Sequence, residues 1–174
     1  RSFFNYLMKQ GIVSENPADM VATPKQDKPI PAYLTVDDMF RLLDAIETQS
    51  IGGLRDKAMF ETLYSTGIRI SELAGLNRNQ IDTNNSMIRV RGKGNKERVV
   101  PIGKRALAAI GEYRKALDEA GKEAVKDPNA LFLNSNGRRL TDRSMARLLK
   151  QWAEKAGVDV SIFPHAVRHS FATH

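Results

Sequence analysis

Met39, Leu42, Leu43 and Ile46 recur at i, i+3, i+4 and i+7, the spacing of a helix with one core-facing side. Thr35 followed by Asp38 resembles a capping box that starts this helix, with Asp in place of the usual Glu or Gln. A second helix is expected from about Leu54 to Ser65, stopping at Gly67, and a short one around 71–75. Residues 87–91 and 98–102 are β-rich and flank Gly92, Gly94 and Asn95, the best hairpin signal in the chain. Pro101 suits an edge position or the end of the second strand. Helix returns over about 104–120, with Gly121 ending it. Leu131, Phe132 and Leu133 read as a short strand or extended piece, and 134–137 as a turn. Thr141 caps a helix over 142–156. Met145, Leu148, Leu149 and Trp152 share one face of it, and Arg143, Arg147 and Lys150 lie opposite. Pro164 is placed to start a last helix. The fold class that follows is mainly α with a small antiparallel β-hairpin or sheet, an α+β architecture.

At the other end, Phe3, Phe4, Leu7 and Met8 give residues 1–10 an apolar face, with Gly11 as a stop. A chain that opens in mid-helix reads as cut from something longer. Pro24, Pro29 and Pro31 lie among Lys25, Gln26, Asp27 and Lys28, so 21–33 is expected to be an interdomain linker. The 174 residues otherwise suit one domain of 34–174. Cysteine is absent, which excludes disulfide scaffolds, thiolate zinc sites and Cys nucleophiles and fits a cytoplasmic location. No apolar run is long enough to span a membrane.

The net charge of +7 says less than its distribution. Residues 86–105 hold seven bases against Glu97, and 136–155 hold six against Asp142 and Glu154. Two basic blocks on an otherwise balanced chain suit a polyanion-facing surface or simply solvated faces. Arg138 and Arg139, in the turn before the arginine-striped helix, tip the balance toward DNA, because clustered bases release counterions together. Lys93 lies between Gly92 and Gly94, where glycines allow close backbone approach to a ligand. All three histidines fall in the last ten positions. His165 and His169, at i and i+4, have the spacing of zinc ligands, but residue 166 is Ala where a zinc hydrolase carries Glu. Arg168 on the same face favours an anion over a metal, a phosphate-clamp arrangement.

Three segments together resemble the boxes of the tyrosine recombinase (phage integrase) family, in its order and spacing, and among its members the bacterial Xer type above all. They are Ser65-Thr66-Gly67-Ile68-Arg69-Ile70-Ser71-Glu72-Leu73, the hairpin 91–98, and Pro164-His165-Ala166-Val167-Arg168-His169-Ser170-Phe171-Ala172-Thr173-His174. The resemblance covers about residue 35 onward and implies the family's catalytic-domain fold. Residues 1–20 look like the last helix of its N-terminal, core-type DNA-binding domain. By the same resemblance, Arg69 and Arg168 bind the non-bridging oxygens of the scissile phosphate. Lys93 protonates the departing 5′ oxygen, and His165 hydrogen-bonds the phosphate. Glu72 supports the first arginine, and His169 is structural. Arg91, Lys96, Arg98, Arg138, Arg139, Arg143, Arg147 and Lys150 are the expected DNA contacts. No metal or other cofactor is implied, because guanidiniums supply the electrostatics.

The family's nucleophile is a tyrosine downstream of the second arginine. Tyr6, Tyr33, Tyr64 and Tyr113 all lie upstream of His165 and do not match it. The expectation is therefore a fragment inactive on its own and monomeric off DNA, whose full-length parent works in a tetrameric synapse on duplex DNA. The alternative is a non-catalytic DNA-binding module that keeps the fold for regulation.

Overall fold

The computed structural model describes residues 1–21, 35–92, 94 and 96–158. The chain divides into two units, 1–30 and 31–174. In the first, α1 (Ser2–Lys9) is followed by a 3₁₀ turn at Pro17–Asp19, whose Ala18 N–H donates to the Asn16 side chain at 3.0 Å. The Arg1 guanidinium donates to the carbonyls of Ala18 and Val21, at 3.1 and 2.9 Å. α1 buries none of its residues; Phe3 and Tyr6 are exposed. The linker expected over 21–33 falls outside the described residues from 22 on, as does the helix expected at Pro164.

The second unit runs α2 (Val36–Asp44), α3 (Ile51–Thr66), α4 (Ile70–Ala74), β1 (Ile81–Asp82), β2 (Met87–Arg91), β3 (Glu97–Pro101), α5 (Lys104–Glu119) and α6 (Asp142–Lys155). The Thr35–Asp38 capping box forms as expected: Thr35 Oγ1 accepts from Asp38 N–H, and the Asp38 carboxylate accepts from Thr35 N–H. Met39, Leu42, Leu43 and Ile46 are all buried. α3 is the central element. Ala58, Met59, Phe60, Thr62 and Leu63 are buried, none of its residues is fully exposed, and it packs chiefly along α5. It starts three residues before the expected position, because Ser50 accepts the Gly53 N–H at 3.1 Å. Gly67 ends it in the left-handed region, φ 58°, where a side chain would be strained.

The sheet is antiparallel in the order β1-β2-β3, with Val90 opposite Arg98 and Arg91 opposite Glu97. Ile88 and Val90 point into the core, while Met87, Arg89 and Arg91 point out. The short strand β1 was not expected; two residues carry no readable alternation. Residues 131–133, expected as a short strand or an extended piece, are not a strand of the sheet. They are a buried irregular segment flanked by isolated bridges, Asn77 with Ala130 and Leu133 with Arg139. Leu131 N–H donates to the Leu76 carbonyl and Leu133 N–H to the Tyr113 hydroxyl. These two N–H groups are thus paired without a ladder.

Arg114 on α5 is 9% exposed, and its Nη1 donates at 3.4 Å to the Leu131 carbonyl. Its Nε and Nη2 have no hydrogen-bond partner among the described residues, the Asp118 carboxylate standing 3.9 Å from Nη2. Burial pushes this guanidinium's pKa down. Unpaired buried donors typically cost about 1–3 kcal/mol each. Arg114→Met, which keeps the stem and removes the charge, is therefore expected to leave the urea midpoint unchanged or to raise it. A midpoint that falls would show that the guanidinium makes a compensating contact in solution.

Candidate active site

Thr66 ends α3, Gly67 turns the chain back, and Ile68 is buried beneath the turn. That plug sets Arg69 at the N-cap of α4 with its side chain 53% exposed. Glu72, three residues on, is buried and returns to the head of its own helix. Its Oε2 accepts the Arg69 N–H at 2.8 Å, half of a capping box, and its Oε1 accepts from Arg69 Nη1 at 3.2 Å. The same carboxylate takes a fork from β3: Arg98 Nη1 donates to Oε1 at 2.8 Å and Nη2 to Oε2 at 2.9 Å. All four acceptor sites of Glu72 are filled.

Those donors hold the Glu72 pKa at about 2, the Arg98 hydrogen bonds contributing most and burial opposing them. At neutral pH the cluster is one carboxylate between two guanidiniums, one net positive charge facing solvent. The hairpin neck closes on it. Gly92 N–H donates to the Lys96 carbonyl at 2.8 Å, and a Cβ on Gly92 would stand 3.5 Å from Glu72 Oε1. Lys93 is the next residue along the chain. Behind the cluster, Ser65 Oγ accepts the Gly103 N–H at 2.6 Å, tying the end of α3 to the exit from β3.

The structure thus brings Arg69, Glu72, Arg98 and the base of the Lys93 hairpin into one place. Lys93, His165, Arg168 and His169 lie outside the described residues. Of the expected DNA contacts, Arg143 and Arg147 are exposed on α6, and Lys150 beside them stands 4.0 Å from Glu154. Arg138 and Lys96 are exposed, and Arg91 is exposed with Glu97 at 3.1 Å. Two sit otherwise than the sequence suggested. Arg139 turns inward: Nη1 donates to the Ala74 and Leu76 carbonyls, Nη2 donates to Asn77 Oδ1, and Nε lies 3.4 Å from the Asp127 carboxylate. It caps the C-terminal end of α4, whose last carbonyls have no partners within the helix. Arg98 is committed to Glu72 on the core-facing side of the sheet. Strand parity carries that signal, since residues 98 and 100 share a face with Val90 and Ile88 across the register.

Among the described residues no group of three or more His, Cys, Asp or Glu side chains could hold a metal ion, and no helix is long and apolar enough to cross a membrane.

A mostly helical domain with a small three-stranded antiparallel sheet is the fold of tyrosine recombinase catalytic domains. Residues 32–174 match the phage integrase family, and the chain belongs to that family. Along its whole length it is 44% identical to the tyrosine recombinase XerC of Syntrophus aciditrophicus (strain SB), covering 57% of that relative. It is 45% identical to the XerC of Pelobacter propionicus, covering 56%. The chain therefore spans little more than half the length of these relatives. In three dimensions it is similar to the crystal structure of XerA recombinase, with a TM-score of 0.71 and 30% identity over 83% of this chain and 50% of that one. The pre-cleavage complex of XerH site-specific recombinase bound to difH substrate shares the fold, with a TM-score of 0.69 and 24% identity over 83% of this chain and 42% of that one.

Proposed function

We propose that this chain contributes the phosphate-activating catalytic domain of a Xer-type site-specific recombinase acting on duplex DNA. The observation that carries the reading is the junction of Arg69, Glu72 and the hairpin neck, which sets the base of the Lys93 turn against the carboxylate that orients Arg69.

In the reaction that the family resemblance implies, a tyrosine oxygen bonds to the scissile phosphorus, and the bond from phosphorus to the 5′ oxygen breaks. Arg69 and Arg168 stabilise the charge gathering on the non-bridging oxygens, because planar guanidiniums pair bidentately with phosphate. Lys93 Nζ gives its proton to the departing 5′ oxygen. His165 donates to the phosphate. Rejoining reverses these steps, so no cofactor is consumed. The partners are DNA and, for the full-length parent, further protomers in a tetrameric synapse; the fragment is monomeric off DNA, and the protein is located with its DNA substrate in the cytoplasm.

The exposed stripe of α6 gives the test. In the complete gene product containing these 174 residues, a nicked duplex carrying the target site is expected to trap a covalent protein–DNA adduct. Replacing both Arg143 and Arg147 with alanine should weaken binding and shallow the log-log salt slope by roughly 0.9 for each phosphate that is no longer neutralised. A complete gene product that binds duplex DNA without forming the adduct would overturn the catalytic reading. An unchanged salt slope would take α6 out of the interface.

A further inference from the structure

We propose that Arg98 is a positioning residue of the strand-transfer site. It clasps both oxygens of Glu72, so that this carboxylate orients Arg69 without neutralising it and ties α4 to the Lys93 hairpin. The inference rests on the catalytic reading of Arg69 given above.

Arg98 is an arginine at a core-facing strand position, opposite Val90, with its side chain only 39% exposed. A guanidinium turned inward requires an acceptor, and Glu72 presents two oxygens matching its fork at 2.8 and 2.9 Å. Competition for Glu72 is the physical point. A carboxylate left alone beside Arg69 would take the same bidentate grip on that guanidinium and occupy the donors that phosphate needs. With Arg98 in that grip, Arg69 keeps a single side-chain bond to Glu72, at 3.2 Å, plus its backbone N–H bond at 2.8 Å. Arg69 is aimed and still cationic.

The second consequence is mechanical. Arg98 comes from β3 and Glu72 from α4, and a Cβ on Gly92 would stand 3.4 Å from Arg98 Nη1. One ion pair therefore fixes the hairpin neck against the helix that carries Arg69. A lysine, a single point donor on a flexible stem, cannot reproduce the fork.

Among the described residues, the charged groups set against the Glu72 carboxyl are Arg69, from the head of α4, and Arg98, from β3. Removing Arg98 takes away the larger influence depressing its pKa, while burial, which raises it, remains. The carboxyl then protonates at higher pH than in the parent.

The experiment uses the complete gene product, single-turnover adduct formation on a nicked target duplex, DNA affinity by titration, and urea melts, between pH 5 and 8. Arg98→Ala is expected to lower the adduct rate at saturating DNA by roughly tenfold to a hundredfold, the scale of a small misplacement of a reacting group. Affinity and salt slope stay within about twofold of the parent. Arg98→Lys should recover only part of the loss. If Arg98→Ala unfolds, Arg98→Lys carries the test. It keeps the charge, so a DNA-contact role leaves its rate near that of the parent. The proposal is overturned by an Arg98→Ala rate equal to the parent's, or by weaker, less salt-sensitive binding with an unchanged rate at saturation. A parent protein that forms no adduct would overturn the catalytic reading itself, an outcome distinct from a reactive parent matched by its Arg98 variants.

Discussion

Arg69→Ala in the complete gene product is expected to reduce covalent adduct formation by at least about 10²–10³-fold, the scale set by removing one preorganised oxyanion donor. Duplex affinity is expected to stay near that of the parent. The geometry separates the two effects. What holds the local fold is the Arg69 backbone N–H donating to Glu72 Oε2, a bond any non-proline residue makes. The guanidinium itself is 53% exposed and gives Glu72 one bond at 3.2 Å, so its remaining donors face outward. Under the proposed role, truncation removes charge from the reacting phosphate and leaves the helix head intact. The urea midpoint should move by no more than about 0.5 kcal/mol of stability, the usual range for exposed side chains. Arg69→Lys should recover little, because an ammonium cannot bridge two phosphate oxygens in one plane. The checks are single-turnover cleavage and an anisotropy titration on the same DNA. Affinity falling in step with rate would make Arg69 a docking residue and end its assignment to the transition state.

The elements legible in the sequence are those fixed by local chemistry. Thr35 and Asp38 specify the start of α2 because the box is closed within four residues. Gly67 specifies the end of α3 because a left-handed turn excludes most other residues. The hairpin is readable from β-rich runs around a glycine pair, although its first strand partner, β1, is too short to show a period. Residues 131–133 stay open between a short strand and an extended piece because a three-residue apolar run has the same pattern in a strand and in a buried irregular segment. Its N–H groups go to Leu76 and Tyr113, partners more than ten positions away.

The candidate site divides along the same line. Arg69 and Glu72 are placed by their resemblance to a family box, and their mutual contact is local, at i and i+3. Arg98 and Arg139 group with the DNA contacts in the sequence because basic residues cluster around them, and cluster density carries no direction. Direction comes from strand parity for Arg98 and from the open carbonyls at the end of α4 for Arg139. Both guanidiniums serve the helix headed by Arg69, one through Glu72 near its head and one at its C-terminal end. Part of what reads as electrostatic footprint in this chain is therefore scaffolding for a single five-residue helix.

The largest stability effect is expected at a carboxylate that resembles none of the family boxes. Asp56 on α3 is 3% exposed; its Oδ1 accepts from Arg55 Nε and Nη2 at 2.8 and 2.7 Å, and its Oδ2 accepts from Trp152 Nε1 at 2.9 Å. Arg55 Nη1 continues to the Leu133 carbonyl at 3.1 Å, so the Arg55–Asp56 pair joins α3, α6 and the irregular 131–133 segment. Asp56→Ala leaves the Arg55 guanidinium, whose side chain is 12% exposed, without its counter-charge and the indole N–H without its acceptor. Breaking a buried pair from one side costs about 3–5 kcal/mol, a large share of the roughly 5–15 kcal/mol that holds a domain together. Asp56→Asn keeps an acceptor for the indole and should lose less. Combining Arg55→Met with Asp56→Ala should restore part of the loss, because the uncompensated charge goes with it. Urea unfolding with unchanged m-values is the measurement. The consequence reaches function through α6, whose Arg143 and Arg147 stripe is held against α3 by the Trp152 anchor, so DNA affinity should fade at a lower temperature in Asp56→Ala than in the parent. An Asp56→Ala protein within about 1 kcal/mol of the parent would mean that Arg55 finds solvent by relaxation, and that α6 is held by the apolar packing of Met145, Leu149 and Ala153 alone.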